Sequence, residues 1–291
     1  MASVSIIIPI WNRAEYLPRL FHSLSSVTYE ELEVVLVDNG STDTSLSLCR
    51  SFAEEAPMVV TVLEEPRKGA CCARNCGLRY CKTDWVYFFD SDDELTPTFL
   101  EEIMPQVGDE DMVAFPTKQS VKGVVRQRAF YPTYSSSGQI LSLTLNTQSM
   151  LFRTSFLRYI GGWDESLGIW QDWELGVRVL LSTYSILWLG NKAYHTIYVH
   201  DDSITGPSLT SRISHICHAI DVVADEVYKE SSLRALYFRC AILTGLLHRE
   251  GDEEVTIDLP VAWPYRLLAN LLRVYTAWGG RGAWRLAILF C

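Results

Sequence analysis

The chain has 291 residues, of which 48% are hydrophobic and 21% charged, a composition that can bury a full α/β core and excludes general disorder. Its net charge of −10 excludes a broad basic surface for nucleic acid, so we expect no nucleic-acid partner. Binding of a phosphate-bearing ligand would need a local positive charge, such as a bound metal ion. The eight cysteines form no C-x-x-C pair, and no secretory signal pattern begins the chain. These features predict free thiols and a cytoplasmic location.

From residue 3 to residue 89, short runs of β-branched and aromatic residues alternate with longer amphipathic stretches. The short runs predict four strands, at 4–8, 34–37, 59–63 and 85–89. The longer stretches predict three helices, at 15–25, 44–55 and 70–81. This β-α-β order predicts a mostly parallel sheet, which binds its ligands at the carboxyl ends of the strands.

The rest of the chain is less regular, and its predicted elements are a helix at 97–104, a strand at 112–116, a polar loop or hairpin at 118–138, a strand at 149–153, a helix at 173–182, a strand at 185–189 and a helical stretch at 208–247. We predict a catalytic domain over 1–207, with a nucleotide-binding part at about 1–95 and an acceptor-binding part at about 96–207. A helical extension over 208–258 follows. The final segment, 259–291, is predicted to be a separate module.

An acidic cluster, Asp90-Ser91-Asp92-Asp93, follows the fourth predicted strand. Two carboxylates spaced by one residue can share a hard cation such as Mg²⁺ or Mn²⁺. Such a cation would let an acidic protein bind a diphosphate. The alternative is a solvated acidic turn that caps the next helix.

Five motifs in order and in spacing resemble the family 2 glycosyltransferases over residues 3–205: Ser-Ile-Ile-Ile-Pro-Ile-Trp-Asn at 5–12, Val-Asp-Asn-Gly-Ser-Thr-Asp at 37–43, Gly-Ala-Cys-Cys-Ala-Arg-Asn-Cys-Gly at 69–77, Phe-Asp-Ser-Asp-Asp at 89–93 and Gln-Asp-Trp-Glu-Leu at 171–175. The resemblance implies the GT-A fold, an α/β fold whose mostly parallel, Rossmann-like central sheet is flanked by helices. It also implies an inverting displacement that uses a nucleotide diphosphate sugar, most often a UDP-sugar. The helices after residue 207 would be a C-terminal extension of that fold.

The resemblance assigns the nucleotide base to the ends of the first two strands. Asp38 matches the aspartate that hydrogen-bonds the base, and Pro9, Trp11 and Asn12 match the loop around it. The alternative for Asp38 is an Asx turn with the residues that follow it.

Basic residues near the glycine-rich motif are further candidates for binding the donor. Arg74 lies in the Ala-Arg-Asn signature, and Lys68 precedes the glycine at 69. Arg74 serves equally well as a structural ion-pair partner, and a lone loop lysine is usually only solvated.

Within the acidic cluster, the resemblance assigns Asp90 to the ribose and the metal, and Asp92 to direct metal coordination. Asp93 would orient the donor sugar, and Ser91 belongs to the same donor-binding loop. His200 is the candidate for a later metal ligand, although the arginine common in that segment of the family is missing here.

Asp172 matches the general base of the family, at the start of a helix whose dipole favours an ionised carboxylate. Gln171 stands where the family more often has glutamate. The alternative is that Asp172 only charges the first helical turn. Three tryptophans, Trp163, Trp170 and Trp173, would suit an aromatic wall for a sugar ring, although tryptophans are more often core residues.

The segment 259–291 contains four arginines, three tryptophans and no acidic residue. Its helical pattern, a narrow polar stripe beside a broad apolar surface, predicts contact with the cytoplasmic face of a membrane. The alternative is packing on the catalytic domain or on another subunit.

Together these features predict an inverting glycosyltransferase that acts on a glycan or lipid-linked acceptor, peripheral to the membrane. A second hypothesis is a non-catalytic subunit that binds a nucleotide sugar or a glycan. A third, a nucleotidyltransferase, lacks its glycine-rich, lysine-containing N-terminal signature.

Overall fold

The computed structural model describes residues 2–121, 123–127, 134–143, 145–183, 185–190, 192–199, 209–250 and 254–291. The chain forms two compact units. The first comprises Met1–Phe130, Asn146–Gly168 and Thr183–His200, and the second comprises Tyr131–Leu145, Ile169–Ser182 and Asp201–Cys291. The predicted boundaries at 95, 207 and 258 stay a prediction, and His200 lies outside the described residues.

Within the described residues, all the strands belong to the first unit: β1 (Val4–Ile10), β2 (Leu32–Asp38), β3 (Val59–Glu64), β4 (Trp85–Phe88), β5 (Met112–Ala114), β6 (Thr117–Val121), β7 (Val124–Gln127), β8 (Met150–Arg153), β9 (Ile186–Trp188) and β10 (Tyr194–Val199). Seven of them form a sheet in the order β3-β2-β1-β4-β8-β5-β9. Only β8 runs antiparallel to its neighbours. The prediction of a mostly parallel sheet is therefore confirmed.

The helices are α1 (Leu17–Ser25), α2 (Ser45–Glu55), α3 (Ala70–Tyr80), α4 (Phe99–Ile103), α5 (Ser136–Ser142), α6 (Thr154–Tyr159), α7 (Gln171–Ser182), α8 (Ile213–Glu226), α9 (Glu230–Leu247), α10 (Trp263–Ala277) and α11 (Ala283–Ala287). In the first unit, β1 and β2 are buried almost throughout, because a parallel sheet is covered on both faces. Helix α3 packs directly on β1, where the hydrogen side chain of Gly77 leaves room for Ile7. This packing fixes the amino end of α3 near the carboxyl ends of the central strands.

Beyond the central strands, the sequence pattern predicts neither α5 nor α6. The helical stretch predicted at 208–247 contains two helices, α8 and α9, which are separated where Val227 and Lys229 adopt extended backbone conformations. Strand β10 was not predicted. It joins the β6–β7 hairpin in a second sheet of three strands, ordered β10-β6-β7, and Gly123 makes the hairpin turn with φ of 78°. The hairpin itself agrees with the loop or hairpin expected at 118–138.

The second unit is helical in its described part. Helix α10 packs on α9 at Gly245, where an added Cβ would collide with Thr276 and with the Arg273 carbonyl. One side of α10 is therefore buried against α9, and the expectation that 259–291 is a separate module stays a prediction. Among the described residues, no helix is both long enough and apolar enough to span a membrane.

Candidate active site

The carboxyl ends of β1, β2 and β4 meet at one edge of the large sheet, with β1 in the middle. Asp38 ends β2 and is 3% exposed. Its Oδ2 atom accepts hydrogen bonds from the backbone N–H groups of Gly40 and Ser41, each at 3.1 Å. The expected Asx-type turn is therefore present. Its Oδ1 atom is buried and has no hydrogen-bond partner among the described residues.

The loop after β1 is held against the loop after β2 by Asn12. This residue has a φ of 52°, a left-handed conformation that asparagine tolerates better than most residues. Its Oδ1 atom accepts a 2.7 Å hydrogen bond from the Thr42 backbone, and its own N–H donates to Ser41 Oγ. Trp11 is left 55% exposed beside it, and Pro9 is half-buried in β1. The loop therefore presents an exposed indole ring just after β1, the strand that pairs with β2.

Asn39 makes a similar connection to the loop before α3. Its side-chain amide donates to the carbonyls of Glu65 and Arg67, both at 2.8 Å, and its Oδ1 accepts from the Gly69 N–H at 2.8 Å. Lys68 in this loop is exposed. The backbone that carries Lys68 is therefore well fixed, while its ammonium group faces solvent.

The three carboxylates after β4 have different surroundings. Asp90 accepts from Arg74 Nη2 at 2.8 Å and from Gln148 Nε2 at 2.7 Å, and its side chain remains 32% exposed. Asp93 is buried and accepts from the Tyr198 backbone at 2.7 Å, and also from Gln148. Asp90 and Asp93 are thus joined through one amide group.

The structural role considered for Arg74 is realised in the ion pair with Asp90. The guanidinium is 6% exposed and lies over the Trp163 ring, 4.5 Å from its centroid. Arg74 thus fixes one oxygen of Asp90, and a direct contact with the donor stays a prediction.

Asp92 faces a more distant cation than Asp90 does. Arg13 Nη2 lies 3.9 Å from its Oδ2, and the side chain is 26% exposed. Arg19 donates to its backbone carbonyl, which holds the loop in place. Ser91, between the carboxylates, is buried.

Burial raises the pKa of the Asp93 carboxyl well above its ordinary value, and the charges of Asp90 and Asp92 raise it further. Like charges placed this close disfavour the ionised form of Asp93. A cation bound at this strand end would relieve the repulsion.

Gln148 was not predicted from the sequence. It lies in a short 3₁₀ turn just before β8, and β8 pairs antiparallel with β4 so that Tyr87 faces Leu151. Continuing this register past the strand end brings Gln148 opposite Asp90. Only knowledge of the β4–β8 pairing reveals the contact, because a Thr-Gln-Ser turn has no signature of its own.

The donor set at this edge fits Mg²⁺ or Mn²⁺, which prefer carboxylate oxygens. The described residues contain no cluster of three or more acidic, histidine or cysteine side chains arranged to hold a metal. Mg²⁺ is commonly bound through one or two carboxylates and completed by substrate phosphates and water. The partly exposed Asp90 and Asp92 match that arrangement better than the buried Asp93.

In the second unit, Asp172 lies in the first turn of α7 and is half-buried. Its Oδ1 accepts from the Trp173 backbone at 3.0 Å. Trp170, two residues before Asp172, has a φ of 56°. This left-handed backbone conformation is strained for a bulky residue, and strained residues are frequent at functional sites. Glu174 is fully buried and paired with Arg178 at 2.6 Å, so it has a structural role.

The three tryptophans do not line a common wall. Trp163 is buried in the first unit at 2% exposure, and Trp173 is fully buried in the second, so both are core residues. Trp170 is half-buried and packs edge-on against Trp173, with Arg239 over its ring at 4.9 Å. Of the three, only Trp170 is partly exposed.

A groove of about 600 Å³ lies elsewhere in the first unit. It is lined by Asn75, Leu78, Arg79, Arg158, Gly161, Gly162, Trp163 and Glu165. Its Arg158 donates to the Leu78 carbonyl at 2.7 Å, and its Arg79 pairs with Glu65 at 3.1 Å. None of the strand-end carboxylates lines it, so we assign it no part in the chemistry.

The fold and the carboxylates at its strand ends define a GT-A type protein. Two solved structures have the same fold: S. aureus TarS residues 1–349 in complex with UDP-GlcNAc, with a TM-score of 0.69, 19% identity and coverage of 99% of this chain and 90% of that one, and the Pyrobaculum calidifontis mannosyltransferase PcManGT in complex with GDP-Man and Mn²⁺, with a TM-score of 0.61, 20% identity and coverage of 99% and 87%. At these identities the likeness establishes the fold alone.

The model of glycosyl transferase family 2 matches residues 5–161, more than half of the chain. The chain therefore belongs to glycosyl transferase family 2. Among curated proteins, glycosyltransferase GlyG of Streptococcus pneumoniae is 32% identical over 108 residues, which are 37% of this chain and 36% of GlyG. The minor teichoic acid biosynthesis protein GgaA of Bacillus subtilis is 35% identical over 104 residues, 34% of this chain and 23% of GgaA. The matched region thus spans about a third or less of these relatives.

Proposed function

We propose that this protein transfers a hexosyl group from a nucleotide diphosphate sugar to an acceptor hydroxyl, with inversion at the sugar carbon. The observation that carries the proposal is the meeting of carboxylates at the ends of β2 and β4, on either side of β1. A nucleotide sugar needs two such sites, one for its base and one for the cation that accompanies its diphosphate.

The base site is built around Asp38. Its buried Oδ1 atom lacks a hydrogen-bond partner among the described residues, and a buried acceptor of this kind is costly unless a ligand satisfies it. We propose that it accepts the imide N–H of a uracil base, with Trp11 stacked on the ring and with Pro9 and Asn12 forming the surrounding loop. Lys68 and Arg74 are the proposed basic contacts of the donor.

The cation site is built around Asp92 and Asp90, with His200 as the proposed later ligand. Mg²⁺ or Mn²⁺ held there would neutralise the negative charge that develops as the diphosphate departs. Arg13 and Arg19 hold the Asp92 loop. Asp90 is also proposed to bind the ribose, and Ser91 belongs to the same donor-binding loop. Asp93 is proposed to orient the donor sugar, and its protein hydrogen bonds favour this role over metal coordination.

Asp172 is the proposed general base. The acceptor oxygen attacks the anomeric carbon, and its proton passes to the Asp172 carboxylate. The bond between that carbon and the diphosphate oxygen breaks, and the electron pair leaves with the nucleoside diphosphate. One displacement inverts the carbon and requires no covalent sugar intermediate.

The proposed acceptor is a lipid-linked or polysaccharide glycan. GgaA is a teichoic acid biosynthesis protein by name, which supports an acceptor of the cell envelope type. We propose that the protein works at the cytoplasmic face of a membrane, which it contacts through residues 259–291.

The test is a panel of UDP-, GDP- and dTDP-sugars, followed by thermal shift and by donor hydrolysis with Mn²⁺ or with EDTA. We expect one nucleotide family to stabilise the protein only with Mn²⁺. The Asp172→Asn variant should keep this stabilisation and lose transfer by about a thousandfold or more, since base catalysis and nucleophile activation act together. Asp221→Asn, an exposed change on α8, is the matched control. Full activity in Asp172→Asn would instead support a binding subunit.

A further inference from the structure

The outward face of α10 is apolar along its whole length. Its exposed large apolar side chains follow helical spacing and are Trp263, Leu267, Leu271, Val274, Tyr275 and Trp278. The two tryptophans, 75% and 88% exposed, stand at the two ends of this row. We call these six residues the C-terminal apolar surface.

This surface is not the unburied remainder of a loosely packed helix. The opposite side of α10 is already buried through Ala269, Leu272 and Thr276, and Thr276 donates a 2.9 Å hydrogen bond within the helix at the contact with α9. At about 100° per residue, the six exposed side chains cover an arc of roughly 120°. A surface helix of a soluble domain normally places charged and polar residues on such an arc, so a contiguous apolar face of this size marks a binding surface.

The charged residues around the C-terminal apolar surface indicate the kind of partner that it binds. The segment 259–291 has four arginines and no acidic residue, although the whole chain has a net charge of −10. By the same helical spacing Arg266 and Arg273 lie about 60–80° beyond one end of the arc, and Arg273 is paired with Glu254 at 3.5 Å. Arg281 and Arg285 are exposed just after the helix. The segment that carries the exposed apolar row is thus locally basic, with four of the 25 basic residues of an acidic protein and no acidic residue.

A second copy of the chain fits this pattern poorly. In a two-fold symmetric contact the same patch faces itself, so the nearby arginines would oppose one another. In an anionic membrane, the acyl chains can bury the exposed apolar side chains, and the headgroups attract the nearby arginines. Tryptophans at the two ends suit the same boundary, because an indole has an apolar body and a polar N–H.

We propose that the C-terminal apolar surface inserts into the interface of an anionic membrane, with α10 lying parallel to the membrane plane and the arginines contacting lipid phosphates. This inference deepens the membrane location in the proposed function and rests on it for its biological purpose. Lipid binding itself requires neither donor nor metal.

The experiment is co-sedimentation of the full chain with vesicles of phosphatidylcholine alone or of phosphatidylcholine and phosphatidylglycerol in equal parts. We expect binding to the mixed vesicles and little binding to the neutral ones. The double variant Leu267→Gln with Leu271→Gln should lower partitioning by at least tenfold, because lipid burial contributes about 0.8 kcal/mol per CH₂ group. Tyr159→Gln, at an exposed aromatic residue of the first unit, is the matched control.

A charge series separates the two components of binding. Arg281→Gln and Arg285→Gln should each lower partitioning by about fivefold at low salt, equivalent to about 1 kcal/mol per arginine. Lys82→Gln, at an exposed lysine of the first unit, should have little effect. Circular dichroism and nucleotide thermal shift of each variant verify that the fold is retained.

Equal binding to neutral and anionic vesicles, or unchanged binding in the leucine double variant, would overturn the proposal. So would a lipid-free dimer in sedimentation velocity that the same double variant dissociates, since the surface would then join two copies. Vesicle binding without sugar transfer would remove the proposed function and leave this inference intact. Transfer to a soluble acceptor without vesicle binding would support the proposed sugar transfer and overturn this inference.

Discussion

His195 should make the stability of the protein fall as the pH drops below neutrality. Its imidazole is fully buried among aromatic rings, with the Phe99 centroid at 4.6 Å and that of Tyr87 at 5.4 Å. Its Nδ1 accepts a 3.1 Å hydrogen bond from the Thr96 N–H, which requires the neutral ring. Burial, with a smaller contribution from the charge of Lys118, lowers the pKa of His195 to about 3.

The sign of the effect follows from proton binding. An unfolded histidine gains a proton below about pH 6.5, whereas the native ring stays neutral down to about pH 3. Because the unfolded state binds the extra proton over this range, the free energy of unfolding falls by about 1.4 kcal/mol per pH unit. The contribution is fully present above pH 6.5 and is lost towards pH 3. Between pH 7 and pH 5 the loss from this residue is about 2 kcal/mol.

The assay is urea denaturation at pH 7 and at pH 5. In His195→Gln the amide oxygen can still accept from Thr96 but carries no titrating proton, so this variant should lose about 2 kcal/mol less than the wild type between the two pH values. His22→Gln, at an exposed histidine of α1, is the matched control. Equal losses in the wild type and in His195→Gln would refute the reasoning.

Three further predictions concern the site and the packing. Gln148→Leu removes the amide donor shared by Asp90 and Asp93 and should lower the free energy of unfolding by about 2 kcal/mol or more. The measurement is thermal denaturation without metal, and an unchanged stability would mean that the amide bridge is absent in solution. Trp11→Ala should weaken binding of the nucleoside diphosphate about tenfold if the indole stacks on the base, and an unchanged dissociation constant would remove that role. Gly245→Ala should cost about 1–3 kcal/mol because Cβ meets the Arg273 carbonyl of α10, whereas Gly190→Ala, which meets nothing, should be nearly neutral in urea denaturation.

The central part of the fold is readable from the sequence because its signals are local. Strands β1 and β2 are continuous apolar runs, typical of strands buried on both faces, and each ends in polar residues. The parallel order then fixes which residues meet at the sheet edge. For this reason the amino-acid sequence alone predicts that Asp38 and the cluster at 90–93 lie at the same edge.

What the sequence could not predict depends on non-local pairing. The contact between Gln148 and Asp90 arises from the β4–β8 register, and residues far apart in the chain carry no sign of it. Strand β10 includes His195 with a φ of 20°, an irregular conformation that breaks the alternation typical of a strand. The apolar pattern of α10 predicted an amphipathic helix. Which part of its apolar side is buried depends on the close contact between α10 and α9 at Gly245, and the sequence of α10 alone does not reveal that contact.

The most direct test of the central claim is calorimetric titration of the protein with the nucleoside diphosphate selected by the donor panel, with Mn²⁺ and with EDTA. We predict tight binding only with Mn²⁺, lost in Asp92→Ala and retained in the control Asp109→Ala, at an exposed aspartate outside the strand end. Binding of equal strength in EDTA, or undiminished binding in Asp92→Ala, would contradict a metal-assisted donor site at the end of β4.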